Sequence, residues 1–258
     1  MKVAVFGAAG WVGRAILANF AGRHQVRAFD QGPKAWERWK DVDSEWSGGE
    51  VVHGDIADFG AVNRALKGQQ GVVHAAVYNA RAGGHYAADD PQPFLVNLKG
   101  LWNVLEAARR RGIRRVVHIG SCQTVHPRGI FFTADVRRPD GSSYAVCKRL
   151  QEEMCRQFHE AHKLSIVVLR PDYIVDSSLG MAWDWQRVVL GAGGSQWQPG
   201  WVCRHDLAEA SRLALETAAV DFDIFHIAGT PEADATCDAA RAREILGLQY
   251  RGNLEQYR

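Results

Sequence analysis

The sequence predicts an α/β fold: a doubly wound parallel sheet, helices on both faces, and a small C-terminal lobe. Three observations predict it. Short apolar runs alternate with stretches of helical periodicity along most of the chain, and repeated strand-then-helix gives a parallel sheet covered on both sides. The first strand runs directly into a glycine-spaced turn, Gly7-Ala8-Ala9-Gly10-Trp11-Val12-Gly13. Tyr144 and Lys148 stand four residues apart in a helical stretch.

The elements follow in order. Strands are expected at residues 2–6, 25–29, 51–53, 71–75, 115–119, 165–169 and 223–227, where valine, isoleucine and phenylalanine cluster. Helices are expected at 11–21, 59–66, 93–111, 142–162, 204–218 and 239–246, where apolar residues recur every three to four positions. The run Arg109-Arg110-Arg111-Gly112-Ile113-Arg114-Arg115 reads as a helix C-terminus, with Gly112 as cap. Three stretches break the alternation. Residues 31–50, polar with Trp36, Trp39 and Trp46, read as a surface insertion. Residues 77–92 and 172–202 each follow a strand, so they are the expected walls of a pocket. No repeat or linker divides the chain. One domain is expected, with residues 1–170 mainly the nucleotide-binding core and 171–258 mainly a substrate-binding lobe with a final strand and helix.

Composition narrows the classes. At 258 residues, 47% hydrophobic and 23% charged, the chain is an ordinary globular protein. A net charge of +2 gives no reason to expect a nucleic-acid or membrane partner. The five cysteines are scattered, with no Cys-x-x-Cys, which points away from disulfides and zinc and toward a reducing cytoplasm. No signal peptide is expected, because Val3-Ala4-Val5-Phe6 begins almost at once, and no apolar run is long enough to cross a bilayer. His159 and His162, three apart around Glu160, lack metal-ligand spacing, so no metal is expected.

The glycine turn has a physical use. Glycines permit a tight turn and close approach of backbone to a pyrophosphate, and the following helix offers free N–H groups and the positive end of its dipole. The spacing is Gly-x-x-Gly-x-x-Gly. Asp30 ends the next strand, seventeen residues beyond Gly13. A carboxylate there accepts from adenosine ribose hydroxyls and repels a 2′-phosphate, which favours NAD over NADP. Arg14 is the nearby residue that could serve a phosphate instead.

On a helix, Tyr144 and Lys148 share one face. A free tyrosine titrates near about 10 and is a poor base at neutral pH. A neighbouring cation favours the phenolate. Reaching neutrality needs roughly 4 kcal/mol of differential stabilisation, at about 1.4 per unit. Lys148 and an oxidised nicotinamide ring are both cationic.

The ordered set resembles the extended short-chain dehydrogenase/reductase superfamily, in its NAD-dependent epimerase/dehydratase group. It comprises Gly7/Gly10/Gly13, Asp30, His53-Gly54-Asp55-Ile56, Val73-His74-Ala75-Ala76, Asn97-Leu98-Lys99-Gly100, Tyr144/Lys148, Leu169-Arg170-Pro171, His205-Asp206 and Phe225-His226-Ile227-Ala228-Gly229. The resemblance runs from residue 1 to about 230. It implies a Rossmann-like fold, and that Tyr144 moves a hydroxyl proton while hydride passes to NAD, with Lys148 also holding the nicotinamide ribose. It implies that Asp55 and Ile56 flank the adenine, and that Ala75, Ala76 and Val77 line the cofactor channel. Trp11, Val12, Asn97 and Pro171 complete the expected cofactor contacts. The family's substrate-binding Ser or Thr is the second of a pair after the fifth strand. Matched on the strand, that position is Cys122, in Gly120-Ser121-Cys122-Gln123-Thr124. Either Cys122 serves with a weak thiol donor, or Ser121 or Thr124 takes the role by a shift of backbone, or the site is inactive; the alternative reading of Cys122 itself is a small buried hydrophobe.

Only 110 residues follow Lys148, fewer than the family uses for nucleotide sugars, so a smaller substrate is implied. Among compact relatives the chain is loosely similar to the uronate dehydrogenases, through Arg137-Arg138-Pro139-Asp140 and Leu246-Gly247-Leu248. Asn79 and Gln123 are then expected on sugar hydroxyls, and Arg187 on a substrate carboxylate. The resulting expectation is an NAD-dependent oxidoreductase for a small sugar, sugar acid or related hydroxy compound. The alternatives are an epimerase or dehydratase with tightly bound NAD, and a noncatalytic NAD-binding regulatory protein. A homodimer through helices 93–111 and 142–162 is expected by the same resemblance.

Overall fold

The computed structural model of the chain describes residues 1–78, 86–125, 139–183 and 186–258. Its centre is a seven-stranded parallel sheet. In chain order the strands are β1 (Lys2–Phe6), β2 (Gln25–Asp30), β3 (Gly49–His53), β4 (Gly71–His74), β5 (Arg115–Ile119), β6 (Ile166–Pro171) and, after a second small sheet, β11 (Phe222–Ile227). Their spatial order is β11-β6-β5-β4-β1-β2-β3. This is the Rossmann-like doubly wound arrangement, with the order reversing between β1 and β4.

The strand sequences explain the two covered faces. Successive side chains of a strand point to opposite sides. Val3 and Val5 face one core with α1 (Trp11–Phe20), α7 (Arg204–Glu216) and α9 (Ala240–Leu246). Ala4 and Phe6 face the other with α3 (Phe59–Ala65), α5 (Gly100–Arg110) and α6 (Ser143–His162). Strands buried on both faces read as continuous apolar runs, and β4 and β5 are buried throughout.

The second sheet lies within residues 172–203. It has the order β10-β7-β8-β9, with β7 (Tyr173–Asp176), β8 (Met181–Trp183), β9 (Arg187–Val189) and β10 (Trp201–Cys203). Its own core holds Tyr173, Val175, Ala182, Leu190, Trp201 and Leu254. Two of the lobe's tryptophans, Trp197 and Trp201, pack there; Trp183 reaches the cleft described below, and Trp185 lies outside the described residues.

Two expectations need correction. The single helix expected at 93–111 is three pieces: α4 (Gln92–Phe94), a π-helical segment (Leu95–Lys99) and α5. The Gln151 amide donates to Asn97 O (2.7 Å) inside the widened segment, the kind of insertion that breaks the regular ladder. Residues 31–50 are more than a surface insertion. They carry the short α2 (Pro33–Glu37), and Trp39 is among the largest fully buried side chains. Its ring packs on Trp11 of the glycine loop and on Trp183 of β8, each 4.7 Å between centroids. Arg204 ties the same three parts together. It pairs with Asp43 (2.7 Å) and Asp176 (2.6 Å), and its guanidinium lies 4.1 Å over the Trp11 ring.

The basic run ends α5 as its glycine suggested: Arg110 closes the helix and Gly112 has φ +63°. Arg109 and Arg110 both pair with Glu106. All five cysteines are free and buried. No described helix is long and apolar enough to cross a membrane. His159 Nδ1 meets Leu164 O, and His162 lies edge-on to Phe158.

β4 and β5 end in a buried imidazole pair. His74 and His118 are register partners, and their Nδ1 atoms are 3.1 Å apart. Burial, aided by the charge of Lys148, pushes His74 down to about 3 and His118 well below its ordinary value. Both are therefore neutral in the folded chain at neutral pH. Unfolded imidazoles titrate near about 6.5, so below that pH the unfolded chain binds more protons and stability falls toward the folded value. Replacing the pair by leucines (His74→Leu with His118→Leu) is expected to flatten the fall of Tm between about pH 7 and about pH 4, read by thermal unfolding.

Candidate active site

A cleft of about 1800 Å³ opens at the carboxyl ends of β1 and β4, the place where strand order reverses and ligands bind in such sheets. One small ligand fills about 300–1,000 Å³, so this cleft has room for a dinucleotide and a substrate together.

The glycine loop forms its floor. Gly7 has φ +77°, and a Cβ on it would stand 2.6 Å from Ala76 N. A Cβ on Gly13 would stand 2.1 Å from Gly7 O. No side chain is therefore tolerated where the loop folds back on itself. No side chain caps α1, and its first turn carries no acidic residue, which leaves the positive helix end to the cleft. Asp30 braces the loop: the Ala9 N–H donates to its Oδ2 (2.9 Å) and the Gln31 N–H to its Oδ1 (2.8 Å). Asp30 lines the cleft with lone pairs remaining. These features fit a dinucleotide with free ribose hydroxyls. Arg14 does not read a phosphate here. It is buried and directed at the carbonyls of Ala9, Trp36 and Ser44.

Most expected cofactor residues meet on this wall. Gly7, Gly10, Trp11, Val12 and Gly13 line it with Ile56. Ala75, Ala76 and Val77 follow from the end of β4, and Pro171 from the end of β6. Two expected residues stand elsewhere. Asp55 is exposed and accepts from its own loop at Ala57 N (2.8 Å). Asn97 is buried behind the wall; it accepts from Tyr78 N (2.8 Å) and donates to Tyr78 O (3.0 Å), holding the strand that leaves β4.

The catalytic end is built by α6. Ser142 caps it by accepting from Ala145 N (3.3 Å), and Asp140 Oδ1 accepts from Ser142 N (2.9 Å). That start places Tyr144 in the first turn, half-buried and on the cleft wall. Lys148 follows one turn on, fully buried, its ammonium donating to Ile119 O (3.1 Å) and standing 5.8 Å from the Tyr144 ring centroid. Burial lowers Lys148 to about 8.

The residues after β5 divide sharply. Ser121 and Gln123 line the cleft; Ser121 Oγ accepts from Gln123 N (3.2 Å). Cys122 turns inward, completely buried, its thiol donating to Arg170 O (3.2 Å) with His226 Nδ1 at 3.3 Å. Burial raises the thiol well above its ordinary value, so it is neither exposed nor ionised. Thr124 donates to Ser121 O (3.0 Å) and is also buried. Of the three alternatives, the geometry leaves Ser121 facing the cleft. Arg187 requires a correction too. It makes a two-point ion pair with Asp41 on the surface and does not line the cleft. Asn79 and the pair Arg137-Arg138 lie outside the described residues.

Several wall residues were not named individually as site residues in the sequence. Lys34 and Arg38 come from the insertion, Asp172 and Tyr173 from the turn after β6, and Trp183 and Gln186 from the lobe. The last four fall within residues 172–202, the stretch expected as a pocket wall; only the tryptophan content of the insertion hinted at Lys34 and Arg38. Among the described residues, no three His, Cys, Asp or Glu gather as a metal site would require.

Several known proteins are similar to this chain. A 3 beta-hydroxysteroid dehydrogenase/Delta 5-->4-isomerase of Mycobacterium tuberculosis is 32% identical over 127 residues, covering 48% of this chain and 32% of that protein. The match therefore spans about a third of that relative's length. An NAD-dependent glucose-6-phosphate dehydrogenase of Haloferax volcanii is 24% identical over 99% of this chain and 95% of its own. Among solved structures, a mutant uronate dehydrogenase from Agrobacterium tumefaciens complexed with NAD superposes with a TM-score of 0.74. It is 23% identical and covers 99% of this chain and 86% of that one, a likeness of fold. The sequence model of the NAD dependent epimerase/dehydratase family matches residues 3–175, from the first strand into β7. The glycine loop, the cleft at the strand reversal and the Tyr144–Lys148 helix all lie within that match, and the chain belongs to the NAD-dependent epimerase/dehydratase family.

Proposed function

We propose that the chain is an NAD-dependent oxidoreductase acting on a hydroxyl of a small sugar, sugar acid or related compound. The observation that carries the reading is convergence: the glycine loop, Asp30, Ser121, Tyr144 and Lys148 all border one cleft. Residues 1–170 would mainly hold NAD, and 171–258 would mainly supply the substrate wall through β7, β8 and Trp183.

Each residue has a stated task. Bound NAD supplies an acceptor for hydride. Asp30 accepts from adenosine ribose hydroxyls, and the Gly7–Gly13 backbone with the α1 N-terminus receives the pyrophosphate. Tyr144 takes the proton of the reacting hydroxyl. Lys148 stabilises the Tyr144 phenolate electrostatically. Ser121 donates to the substrate oxygen, and Gln123 orients a neighbouring hydroxyl. The Ser121→Ala variant is expected to lower kcat by about 10²-fold with NAD affinity intact, the scale of one lost donor at a reacting oxygen. Cys122→Ser should leave both nearly unchanged, since that side chain faces the interior. Steady-state kinetics of the two variants checks the assignment.

One observation favours the family's other chemistry, in which NAD stays bound through each cycle. The insertion and the lobe meet at the cleft through Trp39–Trp183, and the surface Arg187–Asp41 ion pair joins the same two parts. Such enclosure suits an epimerase that keeps its cofactor. Turnover separates the readings: a dehydrogenase accumulates NADH, and an epimerase yields an isomer with none.

A homodimer is part of the proposal. Leu95 and Trp102 on the 95–110 helical stretch, and Val146 and Leu150 on α6, are large apolar residues at turn spacing that stand 39–47% exposed. A second copy would cover them. A dimer mass by light scattering at micromolar concentration is expected; Leu150→Glu should shift it to monomer. The five free, buried cysteines support a cytoplasmic location.

A further inference from the structure

His74, His118 and Gln151 form a buried polar layer that the proposed reaction does not use. β4 reads Gly71-Val72-Val73-His74 and β5 Arg115-Val116-Val117-His118-Ile119, so one imidazole closes β4 and the other stands one residue before the end of β5. Both rings are essentially unexposed, and their Nδ1 atoms meet at 3.1 Å. One Nδ1 must carry the proton and the other accept it. Gln151, one turn beyond Lys148 on α6, is anchored by its amide on Asn97 O and interacts with His118. Among the described residues, neither His118 Nε2 nor Gln151 Oε1 has a partner at full hydrogen-bond geometry, and the same is true of His74 Nε2. The layer therefore keeps dipoles in reserve.

Its place is beside Lys148. The lysine's ammonium rests on Ile119 O, the residue next to His118, and its charge acts on both imidazoles. The titratable groups around Lys148 among the described residues are Tyr144, Cys147 and Cys155 on its own helix, His74 from β4 and His118 from β5. Among the described residues, no carboxylate is a main influence on it. Desolvation disfavours a buried ammonium, and a paired carboxylate would cancel the charge that Tyr144 needs. Neutral imidazoles offer dipoles to a buried ammonium without cancelling its charge.

We propose that the His74–His118 pair, braced by Gln151, is a positioning element for Lys148: a neutral polar floor that keeps the ammonium charged and leaves its field directed at Tyr144. A purely structural pair makes a different forecast. Replacing both hydrogen-bond partners by apolar groups of similar shape is often neutral or stabilising, so packing alone would lose nothing with leucines.

The inference rests on the proposed role of Tyr144 and Lys148, and its test reads Tyr144 without any substrate. The near-ultraviolet tyrosinate signal of the NAD-bound chain, minus that of Tyr144→Phe, gives the Tyr144 titration. His74→Leu with His118→Leu should move that midpoint upward by about one unit, because an apolar floor weakens the charge on Lys148. His74→Gln with His118→Gln, which keeps the layer polar, should restore it. An unmoved midpoint in the folded leucine variant overturns the proposal while leaving the reaction intact. A midpoint in the unaltered chain like that of free tyrosine instead removes the reaction reading. The intact protein gives a second test if the leucine variant does not fold. Imidazole nitrogen resonances of His74 and His118 should step as Lys148 deprotonates and lose the step in Lys148→Met; no step overturns the proposal.

Discussion

Gly13→Ala is expected to weaken NAD binding by at least about 100-fold, equivalent to about 2.7 kcal/mol. The added methyl would stand 2.1 Å from Gly7 O and 2.8 Å from Ala8 Cα. All of the offended atoms are backbone, so no side chain can swing aside. Relief requires α1 to back away from the turn, and overpacking of this kind costs about 1–3 kcal/mol or more. The helix N-terminus then no longer faces the pyrophosphate. Isothermal titration with NAD measures the loss. Gly10→Ala is the internal comparison, because its nearest heavy atom is at 3.2 Å and a small adjustment suffices for the turn itself.

Tyr144→Phe is expected to lower kcat by about 10²–10⁴-fold, the usual contribution of a positioned acid–base group. NAD affinity should change far less, because the loop, Asp30 and Lys148 remain. The fold should persist too: Tyr144 is half-buried at the start of α6, and the cap at Ser142 is untouched. A change that lowers kcat and kcat/KM together marks an interaction made in the transition state. Lys148→Met should be nearly as damaging to kcat and should also weaken NAD. Comparing the two variants separates proton transfer from cofactor placement.

Much of the sheet was legible in the sequence for a simple reason. Its central strands, β1, β4, β5 and β6, are short valine-bearing runs, and burial on both faces leaves little polar alternation to misread. The glycine loop and the Tyr144–Lys148 spacing were legible because each has a local rule: backbone approach for one, helical pitch for the other. What was hidden depends on distant partners. Arg187 read as a free cation for a carboxylate, yet Asp41, 146 residues away, holds it. Trp39 read as part of a polar surface stretch, yet Trp11 and Trp183 bury it. Cys122 and Ser121 are adjacent, so the family's spacing pointed to the first. Which of the two faces the cleft depends on a single turn of backbone after β5. The π-helical segment was hidden because its cause, Gln151, belongs to another helix.

These corrections change the picture of the substrate end. With Arg187 held at the surface, the cleft's described cations are Lys148 beneath Tyr144 and Lys34 and Arg38 from the insertion. Asp140 and Asp172 border the catalytic end. A polyhydroxy compound, which carboxylates bind through its hydroxyls, suits that wall.

The most direct test of the central claim is NADH formation. The purified chain, incubated with NAD and a panel of aldoses and their sugar acids, should accumulate reduced nicotinamide well beyond one equivalent per chain with at least one compound. Tyr144→Phe should abolish that accumulation. Reduced nicotinamide that never exceeds one equivalent with any compound, or that accumulates undiminished in Tyr144→Phe, would contradict the account.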